Sequence, residues 1–285
     1  MSLEAISGRT YGPVTGRISA EKVAEYIAAT GDSADRWVDV APPSYAGALL
    51  FAVAPQLIND PDVGASTRVL VHTEQRFVWH APLEIDAPIR VTGTVTRVRA
   101  RGAVNFVTLD TAVVGDGGPL LDSTSTFLMG SEAAAPPGPD EGEPEVTVGG
   151  EQDQTPSGVE LVPGGPLGEM RCGASRLDLV RYAGASGDLN PIHFDHDAAR
   201  NAGLDGIVVH GLLMTAWLAR MAAGTSQLSD PLADMKLRFR SALRPGVPAV
   251  ITRTVEDAAE DHARLGLVLR SGDVDLVTAT ATVRR

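Results

Sequence analysis

The chain has one cysteine, Cys172, in 285 residues. That excludes an internal disulfide and a cysteine-rich metal site. Cys172 lies between Arg171 and Gly173, with no His or Asn close by in sequence, so a small core filler is expected rather than a nucleophile. Basic charge is scarce: 24 Lys and Arg stand against 36 Asp and Glu, a net −12. No general basic field exists to draw in nucleic acid or an anionic membrane. Long apolar runs are missing as well. The N-terminal stretch MSLEAISGRTYGP lacks the apolar core of a signal peptide. The most apolar stretch, Gly206–Gly224, is interrupted by His210 and Arg220, so a buried helix is expected there, not a membrane span. These absences together imply a cytoplasmic globular protein with no nucleic-acid or membrane partner.

An apolar content of 44% leaves ample material for a core. Ser19 suits a helix N-cap, with Glu21 in the first turn and a stop near Gly31. A second apolar helix is expected over Ala46–Leu57, disturbed by Pro55. Strands are expected over Arg68–Trp79, Ile89–Arg99, Val104–Val114 and Leu120–Met129, where Val, Thr and Phe alternate between turn residues. The stretch 133–157 is rich in Pro, Gly and acidic residues and is expected to be an extended, solvated linker.

After the linker the same order returns. Ser175 and Asp178 have the spacing of a capping box. Leu177, Val180 and Tyr182 are expected to form the apolar face of a helix ending at Gly187. The apolar helix over Gly206–Ala223 follows, then strands over Met235–Leu243, Val247–Val255, Ala263–Arg270 and Val274–Val283.

Matching residues tie the halves together. At an offset of 156, Tyr26 and Gly31-Asp32 match Tyr182 and Gly187-Asp188; at 164, Gly47 and Leu49 match Gly211 and Leu213. At 162, Arg76-Phe77 match Arg238-Phe239. Such ordered drift indicates a repeat of half the chain. Helix, apolar helix and four strands, twice over, imply an α+β fold in which a curved antiparallel sheet wraps each apolar helix. The halves can pair edge to edge, which removes exposed strand edges.

The densest chemistry is in YAGASGDLNPIHFDHDAARNAGLDGIVVHG, residues 182–211. Pro191 fixes its own φ and biases Asn190 away from helix, stiffening the turn between Asp188 and His193. A stiff turn can aim a carboxylate and an imidazole at one water, each able to take or return a proton. Gly211 opens the apolar helix, where backbone N–H groups are free and the dipole favours negative charge. Read alone, the same residues also fit an Asx turn, a satisfied histidine and a closely packed glycine. A metal bound by Asp188, His193, Asp195, His196 and His210 is a rival use, but the spacing lacks the i, i+4 histidine pair of a helix-borne zinc site. No metal and no cofactor is expected.

This stretch, G-D-x-N-P-x-H followed by H-G at an apolar helix, resembles the signature of the MaoC-like, R-specific enoyl-thioester hydratases and dehydratases. The N-terminal half, through VHTEQRFVWHAPL, resembles the companion half of actinobacterial double-hotdog dehydratases. The resemblance implies a double hotdog: a degenerate N-terminal hotdog over 1–132, the linker over 133–157 and a catalytic hotdog over 158–285. It implies reversible hydration of trans-2-enoyl thioesters, or dehydration of (3R)-3-hydroxyacyl thioesters, with CoA or an acyl carrier protein as carrier. Asp188 and His193 would activate water, and Gly211 would donate to the oxyanion. Asn190 and His210 are candidate substrate contacts, with bracing of the loop (Asn190) and helix entry (His210) as their other roles. In the first half Ala34 stands where Asn would be, Trp37 where His would be, and Ala46 in place of the His of H-G. One active site per chain is therefore expected. The first half could shape a tunnel for the acyl tail through Leu49, Leu50, Phe51 and Val53. Lys236, Arg238 and Arg240 alternate along a strand and could meet CoA phosphates or an acidic carrier, or simply face solvent. A hotdog thioesterase and a non-catalytic acyl-CoA-binding partner subunit are the alternative functions. The oligomeric state is open, with a homodimer allowed for.

Overall fold

The computed structural model describes residues 3–64, 69–130, 138–140, 142, 152–156 and 161–285. Alternating apolar residues in the first half build five strands: β1 (Thr10–Arg17), β2 (Val69–Trp79), β3 (Pro88–Arg101), β4 (Val104–Gly115) and β5 (Gly118–Gly130). The second half repeats them as β6 (Pro166–Cys172), β7 (Leu232–Phe239), β8 (Ala249–Ala258), β9 (His262–Ser271) and β10 (Val274–Arg284). All ten join one antiparallel sheet in the order β1-β3-β4-β5-β2-β7-β10-β9-β8-β6. Replacing each first-half strand by its counterpart reverses this order, as a two-fold axis through the β2–β7 seam requires. The seam pairs Glu74 with Arg238 and Phe77 with Met235. The two sheets expected from the sequence are thus one, fused edge to edge.

Two strands escaped the sequence reading. β1 carries only one buried residue, Tyr11, and β6 is short; both are edge strands with little apolar periodicity to reveal them. Arg68 and most of the expected linker 133–157 lie outside the described residues. The described linker pieces lie against the body. The carbonyls of Gly138 and Pro139 accept from Arg200, and Gln152 and Asp153 accept from Arg220.

Helices lie on one face of the sheet. In the second half these are α5 (Arg176–Ser186), α6 (His196–Asn201) and α7 (Gly211–Ala223). Every residue of α7 from Leu212 to Ala223 is buried, as a helix apolar on all sides requires. The capping box of α5 is present, with Asp178 N bonded to Ser175 Oγ and Ser175 N to Asp178 Oδ2. Its inner face, however, is Leu179, Tyr182, Ala183 and Ser186. Leu177 and Val180 are 55% and 54% exposed, so the apolar face expected through them is displaced by about half a turn.

The first half holds α1 (Ala20–Thr30), capped by Ser19 and ended by left-handed Gly31 as expected. Its apolar helix is not one helix. It breaks into α2 (Ala46–Leu50) and α3 (Ala54–Ile58), and a separate turn of helix, α4 (Pro61–Gly64), follows. Pro55, in the first turn of α3, cannot donate into a ladder continued from α2, and residues Phe51–Val53 turn between them. α1 packs on α5 across the pseudo-axis, with Tyr26 and Tyr182 ring centroids 5.8 Å apart.

Candidate active site

α5 ends at Gly187, whose φ of 80° is left-handed, and a Cβ there would stand 3.4 Å from Phe51 Cβ. The chain thus leaves the helix sharply, pressed against the first half. Asp188 N is anchored to Ser186 Oγ at 3.2 Å, and Ser186 Oγ donates to Tyr182 O at 2.7 Å. Asp188 Oδ1 accepts from Asn190 N. Asn190 Oδ1 in turn accepts from Ile192 N and caps the single 3-10 turn Pro191–His193. The side-chain oxygen of Asn190 thus braces the loop.

That turn delivers His193 to Asp188. His193 Nδ1 lies 2.8 Å from Val208 O. A carbonyl only accepts, so Nδ1 carries the proton and Nε2 presents a lone pair. Nε2 stands 4.0 Å from Asp188 Oδ2, a separation that lets both touch one water. Their side chains are only 7% and 13% exposed. Burial, which penalises charge, pushes the Asp188 carboxyl up to about 7 and the His193 imidazole down to about 4. Near neutral pH the pair can therefore gain or lose a proton cheaply, which is what acid–base chemistry needs.

Beneath His193 lies His210, its ring 3.7 Å away and nearly parallel. His210 is wholly buried, so the substrate contact expected of it is not available; its Nε2 instead lies 3.3 Å from Asp188 O. Its backbone is the N-cap of α7. Gly211 follows as the first residue of that helix, where the amide is outside the intrahelical ladder. A Cβ on Gly211 would stand 3.2 Å from Phe239 Cε1, so the glycine also meets a packing demand.

Two residues of this neighbourhood, Phe239 and His72, were not singled out for chemistry in the sequence, and a third, Phe51, was named only as part of an acyl-tail tunnel. Phe239, at the end of β7, covers Gly211. Phe51 abuts Gly187. His72, on β2, packs its ring against Phe127 and Phe239, at 4.7 and 5.0 Å, and burial holds it down to about 4. Strand alternation could have turned His72 inward, but its approach to Phe239 depends on the β2–β7 seam.

Asp188, His193 and His210 each offer an atom within 4.8 Å of the others, a spacing a metal ion could exploit. Asp195 and His196 stay outside this cluster: Asp195 caps α6 through Ala198 N, and His196 Nε2 pairs with Asp140. Cys172 is buried, and burial pushes its thiol up to about 12, which suits a filler.

The matching place in the first half is filled. Trp37 is buried beneath the Arg36 guanidinium, 4.4 Å from its ring, and Arg36 donates to Ala223 O and Ser226 O at the far end of α7. Asp32 is turned to Ser33 N. Leu49, Leu50 and Val53 are buried core, while Phe51 is half-buried beside the loop. Lys236 and Arg238 share the outer face of β7; Arg238 pairs with Glu74, and Arg240, just beyond, donates to Thr278 Oγ1.

Comparison with known proteins gives a consistent outcome. The profile of the MaoC like domain matches residues 158–269, and that of the FAS1-like dehydratase domain region matches residues 5–122. The 3-hydroxyacyl-thioester dehydratase X of Mycobacterium tuberculosis is 26% identical over 274 residues, covering 94% of this chain and 86% of that protein. A solved structure of a MaoC-like dehydratase superposes with a TM-score of 0.82 at 21% identity, covering 99% of both chains. A Mycobacterium tuberculosis protein described as having a double hotdog fold superposes with a TM-score of 0.68 at 12% identity, covering 98% of this chain and 96% of that one.

Proposed function

The chain belongs to the MaoC-like dehydratases, a hydro-lyase family with the double hotdog fold, and we propose that it interconverts trans-2-enoyl and (3R)-3-hydroxyacyl thioesters at the Asp188–His193 loop. The observation that carries this reading is the buried Asp188–His193 pair, 4.0 Å apart, beside the amino end of α7.

In hydration, the thioester carbonyl points at the Gly211 N–H. The enolate oxygen that forms as water attacks C3 is stabilised there by a free amide and the helix dipole. A water held between Asp188 Oδ2 and His193 Nε2 loses its proton to the pair as its oxygen bonds to C3. The pair returns a proton to C2, and the carbonyl re-forms. Dehydration runs the same steps backwards. Val208 O keeps His193 in the tautomer whose Nε2 can accept. Asn190 keeps the turn rigid, which limits loss of alignment.

The substrate is an acyl thioester of CoA or of an acyl carrier protein. Its tail lies along the half-buried Phe51 of the first half, beside the loop. With Trp37 and Ala34 in place of His and Asn, the first half contributes shape and not turnover. The protein works without metal or cofactor, in the cytoplasm, with the two hotdogs of one chain already paired and a homodimer compatible with that pairing. The test is loss of enoyl absorbance when purified protein meets crotonyl-CoA or longer trans-2-enoyl-CoAs. Release of free thiol with no such loss would point to a thioesterase instead.

A further inference from the structure

We infer that His210 is a positioning residue for this reaction: one buried imidazole aligns both members of the pair, lying flat under His193 and holding the main chain of Asp188 by an N–H to its carbonyl oxygen. The inference rests on Asp188 and His193 being the reacting pair.

His210 cannot touch substrate, because it is wholly buried. One face of its ring lies 3.7 Å from His193, and the Tyr182 ring is 4.9 Å away. Tyr182 is itself backed by Tyr26 of the first half, whose hydroxyl donates to Ser44 O. The His210 ring therefore sits in a row of packed rings that begins in the other half of the molecule, and His193 stacks on the end of it.

The edge of the ring does the second job. Asp188 O can only accept, so His210 Nε2 carries the proton across the 3.3 Å contact. This fixes the carbonyl of the residue whose carboxylate must face His193. The remaining nitrogen, Nδ1, is buried with no partner among the described residues. A phenyl ring would fill the slot and remove the unpartnered Nδ1, but it would withdraw the donor from Asp188 O; a glutamine could supply the N–H without the flat face. Only an imidazole supplies both here. The same residue begins α7, since His210 O accepts from Leu213 N and Met214 N. Its backbone thus sets the Gly211 amide while its side chain sets the pair. All three groups that meet the substrate in the proposed reaction are referred to one residue.

The test uses the full chain with His210→Phe, which keeps the ring and loses the N–H, and His210→Gln, which keeps an N–H and loses the ring. Steady-state kinetics on an enoyl-CoA are read beside the thermal midpoint and the folded fraction. Misplacing reacting groups by a fraction of an ångström should lower kcat of each variant about tenfold to a hundredfold. KM should stay within about threefold, since no substrate contact is removed. Wild-type kcat in both variants overturns the inference. So does a loss carried mainly in KM, or a loss that only tracks the unfolded fraction. Asp188→Asn and His193→Gln serve as controls. If they are inactive while the His210 variants turn over normally, only the role of His210 fails. If the controls retain full turnover, the assignment of the pair itself fails.

Discussion

His193 Nε2 stands 4.0 Å from Asp188 Oδ2, with both side chains nearly shut off from solvent. The distance is too long for a direct hydrogen bond and suits two groups that share a water. Burial moves the two in opposite senses, the carboxyl up to about 7 and the imidazole down to about 4. At neutral pH the pair therefore holds between zero and one proton, and the consequences can be measured.

The first consequence is kinetic. Hydration needs the pair free to take a proton from water. The kcat/KM for hydration should be flat above pH 8 and fall towards tenfold per pH unit below about 7, the apparent value belonging to the pair rather than to one residue. A pH–rate profile checks this. A rate that rises from pH 7 to pH 5 contradicts it.

The second is thermodynamic. Asp188 binds its proton more tightly in the folded protein, at about 7, than an unfolded carboxyl does near 3.8. Its contribution to stability is fully present below the unfolded value and is lost as pH rises through about 7. Asp188→Asn removes that loss. It should raise the thermal midpoint by about 5 °C at pH 8 and by nearly nothing at pH 4. His193 has the opposite sign: held down to about 4, it costs stability as pH falls from the ordinary imidazole range towards 4. An Asp188→Asn gain that is equal at both pH values sinks this reading.

Gly211 and Phe239 form a testable couple. A methyl on Gly211 would meet Phe239 Cε1 at 3.2 Å and push the start of α7 away from the loop. Gly211→Ala should cost about a hundredfold in kcat, the cost of misplacing an oxyanion donor. Adding Phe239→Leu should return about tenfold or more, because the amide survives in alanine and only the collision is relieved. No recovery in the double variant means that the amide does not matter through its position.

Asp188, His193 and His210 are close enough for one metal ion, yet the proposed chemistry uses the lone pairs of Asp188 and His193 directly. Prolonged treatment with a strong chelator should leave turnover unchanged, and added Zn²⁺ should inhibit by tying up the pair. Loss of activity on chelation, restored by a metal, contradicts the metal-free mechanism.

Much of this was legible in the sequence, for identifiable reasons. Caps announce helix ends: Ser19, Gly31, Ser175 and Gly187 sit where the residue types demanded. The stiff Asn190-Pro191 turn marked the loop because proline restricts two residues at once. What stayed hidden depends on partners far along the chain. Edge strands β1 and β6 have few inward residues to give a period. Leu177 and Val180 looked like a core face, but the buried face of α5 runs through Leu179 and Tyr182, and Tyr182 packs on Tyr26 of the first half. The disturbance of the Ala46–Leu57 helix by Pro55 was legible, but not that Phe51–Val53 would turn ahead of it. His210 read as a helix-entry or packing residue with substrate contact as its other role; its slot under His193 exists only once Tyr182 has packed behind it.

The central claim is that one buried acid–imidazole pair adds water to an enoyl thioester. The most direct measurement follows trans-2-enoyl-CoA absorbance over a range of chain lengths with wild type, Asp188→Asn and His193→Gln. We expect hydration by the wild type at one or more chain lengths. Each variant should fall by about a thousandfold or more while remaining folded, with the first half supplying no residual turnover. Folded variants that hydrate at the wild-type rate would contradict the account.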